Sequence, residues 1–220
     1  MKKEKEVHNL QPDFIYSRCQ QEWWPALDAH KKIVHVKKGE LIFAEGASVE
    51  GVYFVIDGVA KVHKHWLEDK ELIVRFAGQN DIIGHRGLSS NADPYPISAT
   101  ALTKLTLCYL DLTFFYATLK VNPGLMFDLM LFFADELRLS EQRMRELAHM
   151  PVRDRVLQTL RMLEMKFGRD TEGFIAFAVS RQDIAAYTGA AYESVYKILA
   201  EFAHSEIIRT DGKLIQLVGS

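Results

Sequence analysis

The 220 residues include only two cysteines, Cys19 and Cys108. Two thiols cannot complete a four-thiolate iron–sulfur or zinc centre without other ligands. A disulfide is not expected between them in a reducing cytosol. Long apolar runs are missing too. None approaches the roughly 18–20 residues that cross a bilayer. The charged start Met1-Lys2-Lys3-Glu4-Lys5-Glu6 has no apolar stretch behind it, unlike a secretory signal. The expected location is therefore the cytoplasm, with no membrane partner. An excess of positive charge is also lacking. The formal net charge is −2, and residues 150–220 carry nine Lys/Arg against nine Asp/Glu. A basic patch is the usual footprint of nucleic-acid binding, so such a function must rest on pattern instead. No Ser/His/Asp set, Walker loop or dinucleotide fingerprint occurs, and the chain does not read as an enzyme.

Present instead are three stretches of different texture. Residues 1–30 look helical and loosely attached, with apolar anchors at Phe14-Ile15-Tyr16 and Trp23-Trp24-Pro25. From Ile33 to Leu112, short β-rich runs alternate with breakers such as Lys38-Gly39, Glu45-Gly46, Asp57-Gly58 and Gln79-Asn80-Asp81. Asp57-Gly58 between two β-branched runs predicts a hairpin. Many short strands at this spacing predict a closed antiparallel β-roll or barrel. Residues 112–148 read as helix, interrupted at Asn122-Pro123-Gly124. Beyond Pro123, the residues Met126, Leu129, Phe133, Leu137, Ser140, Met144 and Leu147 recur at steps of three and four. That spacing is the a/d seam of paired helices. Such a stripe packs either on the chain's own barrel or on a second copy. Its length and its charged flanks (Asp135, Glu136, Arg138, Glu141, Arg143, Arg145) favour a homodimer.

His149-Met150-Pro151 breaks the helix and marks a boundary. An amphipathic helix over Val152–Phe167, a polar turn and a strand over Phe174–Val179 follow. Ser180-Arg181-Gln182-Asp183 is an Asp variant of the capping box. It opens a short helix that Gly189 ends, and a second helix runs from Tyr192 to His204. A helix-turn-helix needs a small residue at the helix crossing, glycine in the turn, and apolar residues inside the second helix. Ala185, Gly189, Val195 and Ile198 supply these. Tyr192, Glu193, Ser194, Tyr196 and Lys197 then face outward. Glutamate accepts from cytosine N4, and lysine donates to guanine. Ser180, Arg181 and Gln182 stand at a helix N-terminus, which attracts phosphate. Ile207–Leu217 reads as a hairpin with an Asp211-Gly212 turn, a wing with Arg209 and Lys213 near its tip.

Taken together, Ser180 through Gly189, Glu193-Ser194-Val195-Tyr196-Lys197-Ile198-Leu199 and the glycine turns Lys38-Gly39-Glu40, Glu45-Gly46, Asp57-Gly58 and Asp81-Ile82-Ile83-Gly84 resemble the CRP/FNR family of bacterial regulators. The resemblance covers nearly the whole chain. It implies an α+β fold: an N-terminal antiparallel, cyclic-nucleotide-binding-like β-roll with its leading helix (residues 1–120), a dimerisation helix (121–149) and a C-terminal winged helix-turn-helix (150–220). It implies binding of a homodimer to double-stranded DNA at a palindromic operator through Arg181, Glu193 and Lys197, with RNA polymerase as a further partner. Ala191-Tyr192 stands where the family usually has Ser-Arg, and Lys197 where it often has Arg. Lysine is a point charge and not a fork, so base preference is expected to differ.

The sensor departs further. Family members that bind cyclic nucleotides carry Gly-Glu, then Arg-Ser/Thr-Ala. Here the pairs read Gly84-His85 and Ile97-Ser98-Ala99. Without the arginine a buried phosphate has no fixed counter-charge, and cyclic AMP is not expected as effector. Arg86 lies next door as a candidate substitute, and His85 is expected to face solvent. The effector pocket implied by the resemblance would comprise Gly84, His85, Arg86, Gly87, Ser98 and Ala99, with Ser140 from the long helix. The family's iron–sulfur branch needs more cysteines than two. The competing reading is a cupin-like β-roll binding a metal or small molecule, with an appended interaction domain. It rests on His63-Lys64-His65, which place two imidazoles on one strand face. The spacing from Gly58 is one residue short of that pattern and its second motif is missing, so no metal is expected.

Overall fold

The computed structural model describes residues 11–66, 70–89, 91 and 93–219; the expected helix over residues 1–10 lies outside them. The chain forms two compact units, Met1–Lys64 with Arg75–Glu136, and His65–Val74 with Leu137–Ser220. The dividing line thus falls inside the long helix and not at either of its ends.

The first unit starts with helices α1 (Asp13–Tyr16) and α2 (Trp24–His30). They are not loosely attached. Ile15 and Leu27 are fully enclosed, in one apolar cluster with Phe54, Leu110, Phe115 and Leu125. Strands β1 (Lys32–Val36), β2 (Leu41–Phe43), β3 (Gly51–Asp57), β4 (Ala60–Trp66), β5 (Lys70–Ala77), β6 (Ile82–Ile83), β7 (Ser98–Ala101) and β8 (Leu105–Asp111) follow. They form two four-stranded antiparallel sheets, ordered β1-β8-β3-β6 and β2-β7-β4-β5. The β-roll expected from strand spacing is present. The Asp57-Gly58 hairpin is not: β3 and β4 belong to different sheets, and the turn carries the chain across. Gly58 has φ +91, and a Cβ there would meet the Lys104 carbonyl oxygen at 2.3 Å. The glycine signal is genuine, but it marks a crossover. Burial pushes the Cys19 thiol up to about 11 and Cys108 up to about 12, so both stay protonated near neutrality.

Helix α3 (Leu112–Val121) is capped by Asp111, whose side chain accepts from the Phe114 N–H at 2.9 Å. Helix α4 (Pro123–His149) begins on Pro123, which tolerates a first-turn position because its missing N–H has no partner there anyway. Leu125 and Leu129 point into the first unit's core. Leu129 therefore leaves the expected dimer stripe, and Met130 replaces it. Met126, Met130, Phe133, Leu137, Ser140 and Met144 are all exposed and recur at steps of 4, 3, 4, 3 and 4. No single described helix is long and apolar enough to cross a membrane.

The second unit holds α5 (Val152–Phe167), α6 (Arg181–Thr188), α7 (Tyr192–His204) and the hairpin β9 (Ile208–Asp211)–β10 (Leu214–Leu217). Val156, Leu160, Ile184, Val195 and Phe202 are among its fully enclosed residues. The expected strand over Phe174–Val179 is only an isolated bridge, Arg169 to Ile175, with the Ile175 N–H donating to Ile215. Phe174, Ile175, Phe177 and Val179 are all buried; an apolar run reads as strand whether it pairs or merely plugs a core.

Candidate nucleic-acid interface

Helix α6 starts where it does because Ser180 Oγ accepts from the Asp183 N–H at 3.0 Å and donates to the Asp183 carboxylate at 2.5 Å. The Ser180 hydroxyl, read as a DNA contact, is thus engaged in the cap. Gly189, at φ +61, closes α6 in the left-handed conformation. Helix α7 buries Val195, Leu199 and Phe202 and exposes Tyr192, Glu193, Ser194, Tyr196 and Lys197. That face of α7 is therefore exposed on the surface of this unit. Gln182 is exposed, and the half-buried Arg181 lays its guanidinium 5.4 Å from the Tyr196 ring.

The wing differs in detail from the sequence reading. Asp211 pairs with Leu214, so the two-residue turn is Gly212-Lys213 and Asp211 is the last strand residue. Gly212 has φ +56; a turn of the glycine-first kind needs a left-handed residue only there. Lys213 thereby sits at the tip itself. Arg209 is exposed on β9, 6.0 Å from the Phe174 ring. A groove of about 280 Å³ runs between the α6 N-terminus, α7 and the wing, lined among others by Arg181, Tyr192, Tyr196, Thr210 and Lys213. Arg181, Gln182, Tyr192 and Lys213 converge on this groove, whereas Glu193 and Lys197 occupy the adjoining stripe of α7.

The sensor turn lies in the first unit. Gly84, at φ +84, leads into a single 3-10 turn, His85–Gly87. His85 does not face solvent. It is 3% exposed, and among the described residues neither ring nitrogen makes a hydrogen bond of ordinary geometry. Phe132 and Phe133 of α4 meet its ring edge-on, with centroids at 5.1 and 5.6 Å. Burial first, then the charges of Arg75 and Arg86, hold its pKa at about 3. Arg86 is no free phosphate ligand either. It donates to Glu136 Oε2 at 3.1 Å, and Arg75 reaches the same oxygen at 3.3 Å. Ser98 Oγ accepts from the Glu45 N–H at 2.9 Å, and Ala99 is fully buried. Ser140 is exposed on the part of α4 that belongs to the second unit, whereas the residues around His85 belong to the first.

The sequence reading missed Tyr95. Its ring stacks on Phe43 at 4.2 Å, and its hydroxyl donates to the Gly51 carbonyl at 2.8 Å. A Cβ built on Gly87 would meet that ring at 2.9 Å. The ring therefore lies directly against the His85–Gly87 turn. A tyrosine beside Pro94 and Pro96 looks like loop residue in sequence, so only position in space reveals it. His63 Nε2 pairs with Thr100 Oγ1 at 2.8 Å across the β4–β7 ladder.

Two family models match the chain: a cyclic nucleotide-binding domain over residues 33–122 and a Crp-like helix-turn-helix domain over residues 154–218. The CRP-like cAMP-activated global transcriptional regulator of Mycobacterium tuberculosis is 27% identical over 197 residues, covering 89% of this chain and 88% of that protein. The transcriptional activator protein anr of Pseudomonas aeruginosa is 28% identical over 189 residues, covering 84% and 76%. Among solved structures, FixK2 from Bradyrhizobium japonicum aligns with a TM-score of 0.76 at 23% identity, over 86% of this chain and 93% of that one. Fold and site define a winged helix-turn-helix DNA-binding protein with an N-terminal β-roll of the cyclic nucleotide-binding type. The chain belongs to the CRP/FNR family of transcriptional regulators, and its relatives are regulators rather than enzymes.

Proposed function

We propose that the protein is a cytoplasmic homodimer that binds a palindromic operator sequence-specifically and acts there on RNA polymerase, without control by cyclic AMP. The carrying observation is the exposed face of α7 beside the α6 N-terminus and the Gly212-Lys213 tip. Helix α7 enters the major groove with Glu193 and Lys197 on base edges and Tyr192 at its leading end. Arg181, Gln182, Arg209 and Lys213 take backbone phosphates, which position the reading helix without specifying sequence. A balanced net charge is compatible with this, because Arg181 and Lys213 line one groove and two subunits contribute. The free stripe on α4 supplies the dimer surface.

Selecting duplexes from a random library with the purified protein tests this reading, and inverted repeats are the expected outcome. In Glu193→Ala, one base pair per half-site is expected to lose its preference by about tenfold, the order of one good base contact. Unchanged selectivity would place the recognition residues elsewhere.

The residues of the sensor turn do not fit a cyclic nucleotide. Ile97 replaces the phosphate-binding arginine, His85 is sealed and neutral, and the Tyr95 ring packs beneath the turn. Millimolar cyclic AMP is expected to leave the melting temperature unmoved, since only a ligand of the folded state raises it. A saturable rise would overturn this part of the reading.

A further inference from the structure

Arg143 lies half-buried on α4, in the last two turns before the helix ends at His149. Its guanidinium has no carboxylate within salt-bridge range among the described residues. It is satisfied by main-chain oxygens instead. One Nη2 contact of 2.5 Å runs to the carbonyl of Tyr187, in the last turn of α6, and another of 2.5 Å to that of Ile73. Nη1 donates to the carbonyl of Val74. The guanidinium also lies 3.7 Å from the centre of the Tyr187 ring. The last carbonyls of a helix lack intrahelical partners and carry the negative end of its dipole, so a cation there is favoured twice.

One helical turn further on, Leu147 meets the same part of the motif. A Cβ built on Gly189 would come within 3.0 Å of Leu147 Cδ2. Leu147, expected in the dimer stripe, therefore packs within its own chain, against the turn between α6 and α7. Residues 143 and 147 stand four apart, on one face of α4, and together they grip both sides of that turn. All of these groups belong to the second unit.

We infer that Arg143 is a positioning residue for DNA recognition: it locks the helix-turn-helix to the end of the dimerisation helix and so fixes the separation of two recognition helices. It touches no base. It acts by making α4 and α6 one rigid piece, so that the geometry of the α4 pair sets the half-site spacing an operator must have. This rests on the dimeric-operator reading above. A lysine there keeps the charge but not the fork that serves three acceptors at once.

The test uses the full-length chain and duplexes selected by the wild type, read by fluorescence anisotropy. Each duplex is prepared with its original half-site spacing, with one base pair added, with one removed, and as a single half-site. For the wild type, a one-base-pair change is expected to weaken binding by about tenfold or more, since spacing is a geometric constraint. In Arg143→Met that penalty is expected to fall to about threefold or less, with single half-site affinity unchanged, the size of a typical coupling energy lost. Arg143→Lys, read in its place if Arg143→Met does not fold, is expected to lose part of the penalty. An unchanged spacing penalty overturns the inference. So does an equal loss on half-sites and palindromes, which would make Arg143 merely structural. A wild type indifferent to spacing sinks the dimeric-operator reading itself, and the role of Arg143 with it.

Discussion

Leu137→Glu is expected to give a folded monomer whose operator affinity is about 100-fold lower or worse, because linked half-site binding gains that much from avidity. Leu137 is 62% exposed in the single chain, at the centre of the Met126, Met130, Phe133, Ser140 and Met144 stripe. A surface substitution of this kind shifts the stability of the chain itself by only about 0.5 kcal/mol. In a symmetric pair, however, the residue meets its own copy or that copy's neighbours. Two carboxylates would then be desolvated beside one another, at a cost of several kcal/mol per unpaired ion. Sedimentation velocity should show a single species at monomer mass, with a cooperative melting curve whose midpoint no longer depends on protein concentration. A Leu137→Glu protein that still sediments as a dimer would mean that the stripe is not the interface. Leu129→Glu makes the useful contrast: Leu129 lies in the first unit's core, so that change should unfold the β-roll rather than dissociate anything.

The second large effect concerns pH. His85 is neutral in the fold, with its pKa held at about 3 against 6.5 for the free imidazole. Between those values the unfolded chain takes up a proton that the native protein refuses. Stability therefore falls as pH falls through this window, and the contribution is fully present only above about 6.5. From pH 7 to pH 5 this one group is expected to remove about 2 kcal/mol, because each tenfold difference in proton affinity between the two states is worth about 1.4 kcal/mol. Urea unfolding at the two pH values should show the loss in the wild type and a clearly smaller one in His85→Leu, which keeps the ring's apolar contacts to Phe132 and Phe133. Equal losses in the two proteins would show that His85 is protonated in the fold, with Glu136, 3.8 Å from Nε2, as its counter-ion.

The winged half of the molecule was the more legible in sequence. Helix caps, left-handed glycines and apolar spacing are local signals, and Ser180, Gly189 and the bounds of α7 follow from them directly. The wing turn slipped by one residue because Asp-Gly and Gly-Lys both satisfy a glycine-containing hairpin, and only the Asp211–Leu214 pairing decides. The sensor was less legible because its arrangement is non-local. His85 faces Phe132 and Phe133, and Arg86 meets Glu136, across some fifty residues of sequence. Nothing near position 85 announces a burial partner on a distant helix. The stripe on α4 sits between these cases. Its period was plain, but Leu129 and Met130 both fit steps of three and four, and the choice between them depends on which side of the helix meets the β-roll.

The order of the strands has a consequence for how the chain acquires its shape. Strand β1 lies against β8, with Lys32 opposite Tyr109, so the first strand of the roll finds its neighbour only when the last has been made. Closing so long a loop costs entropy before any contact rewards it, and topologies of this kind fold slowly. The wing hairpin joins across two residues and the helix-turn-helix across three, so their contacts form early. On the ribosome the helix-turn-helix is synthesised after the roll yet has the shorter search. The roll, made before it, is the segment that waits longer with its apolar strands open to other chains.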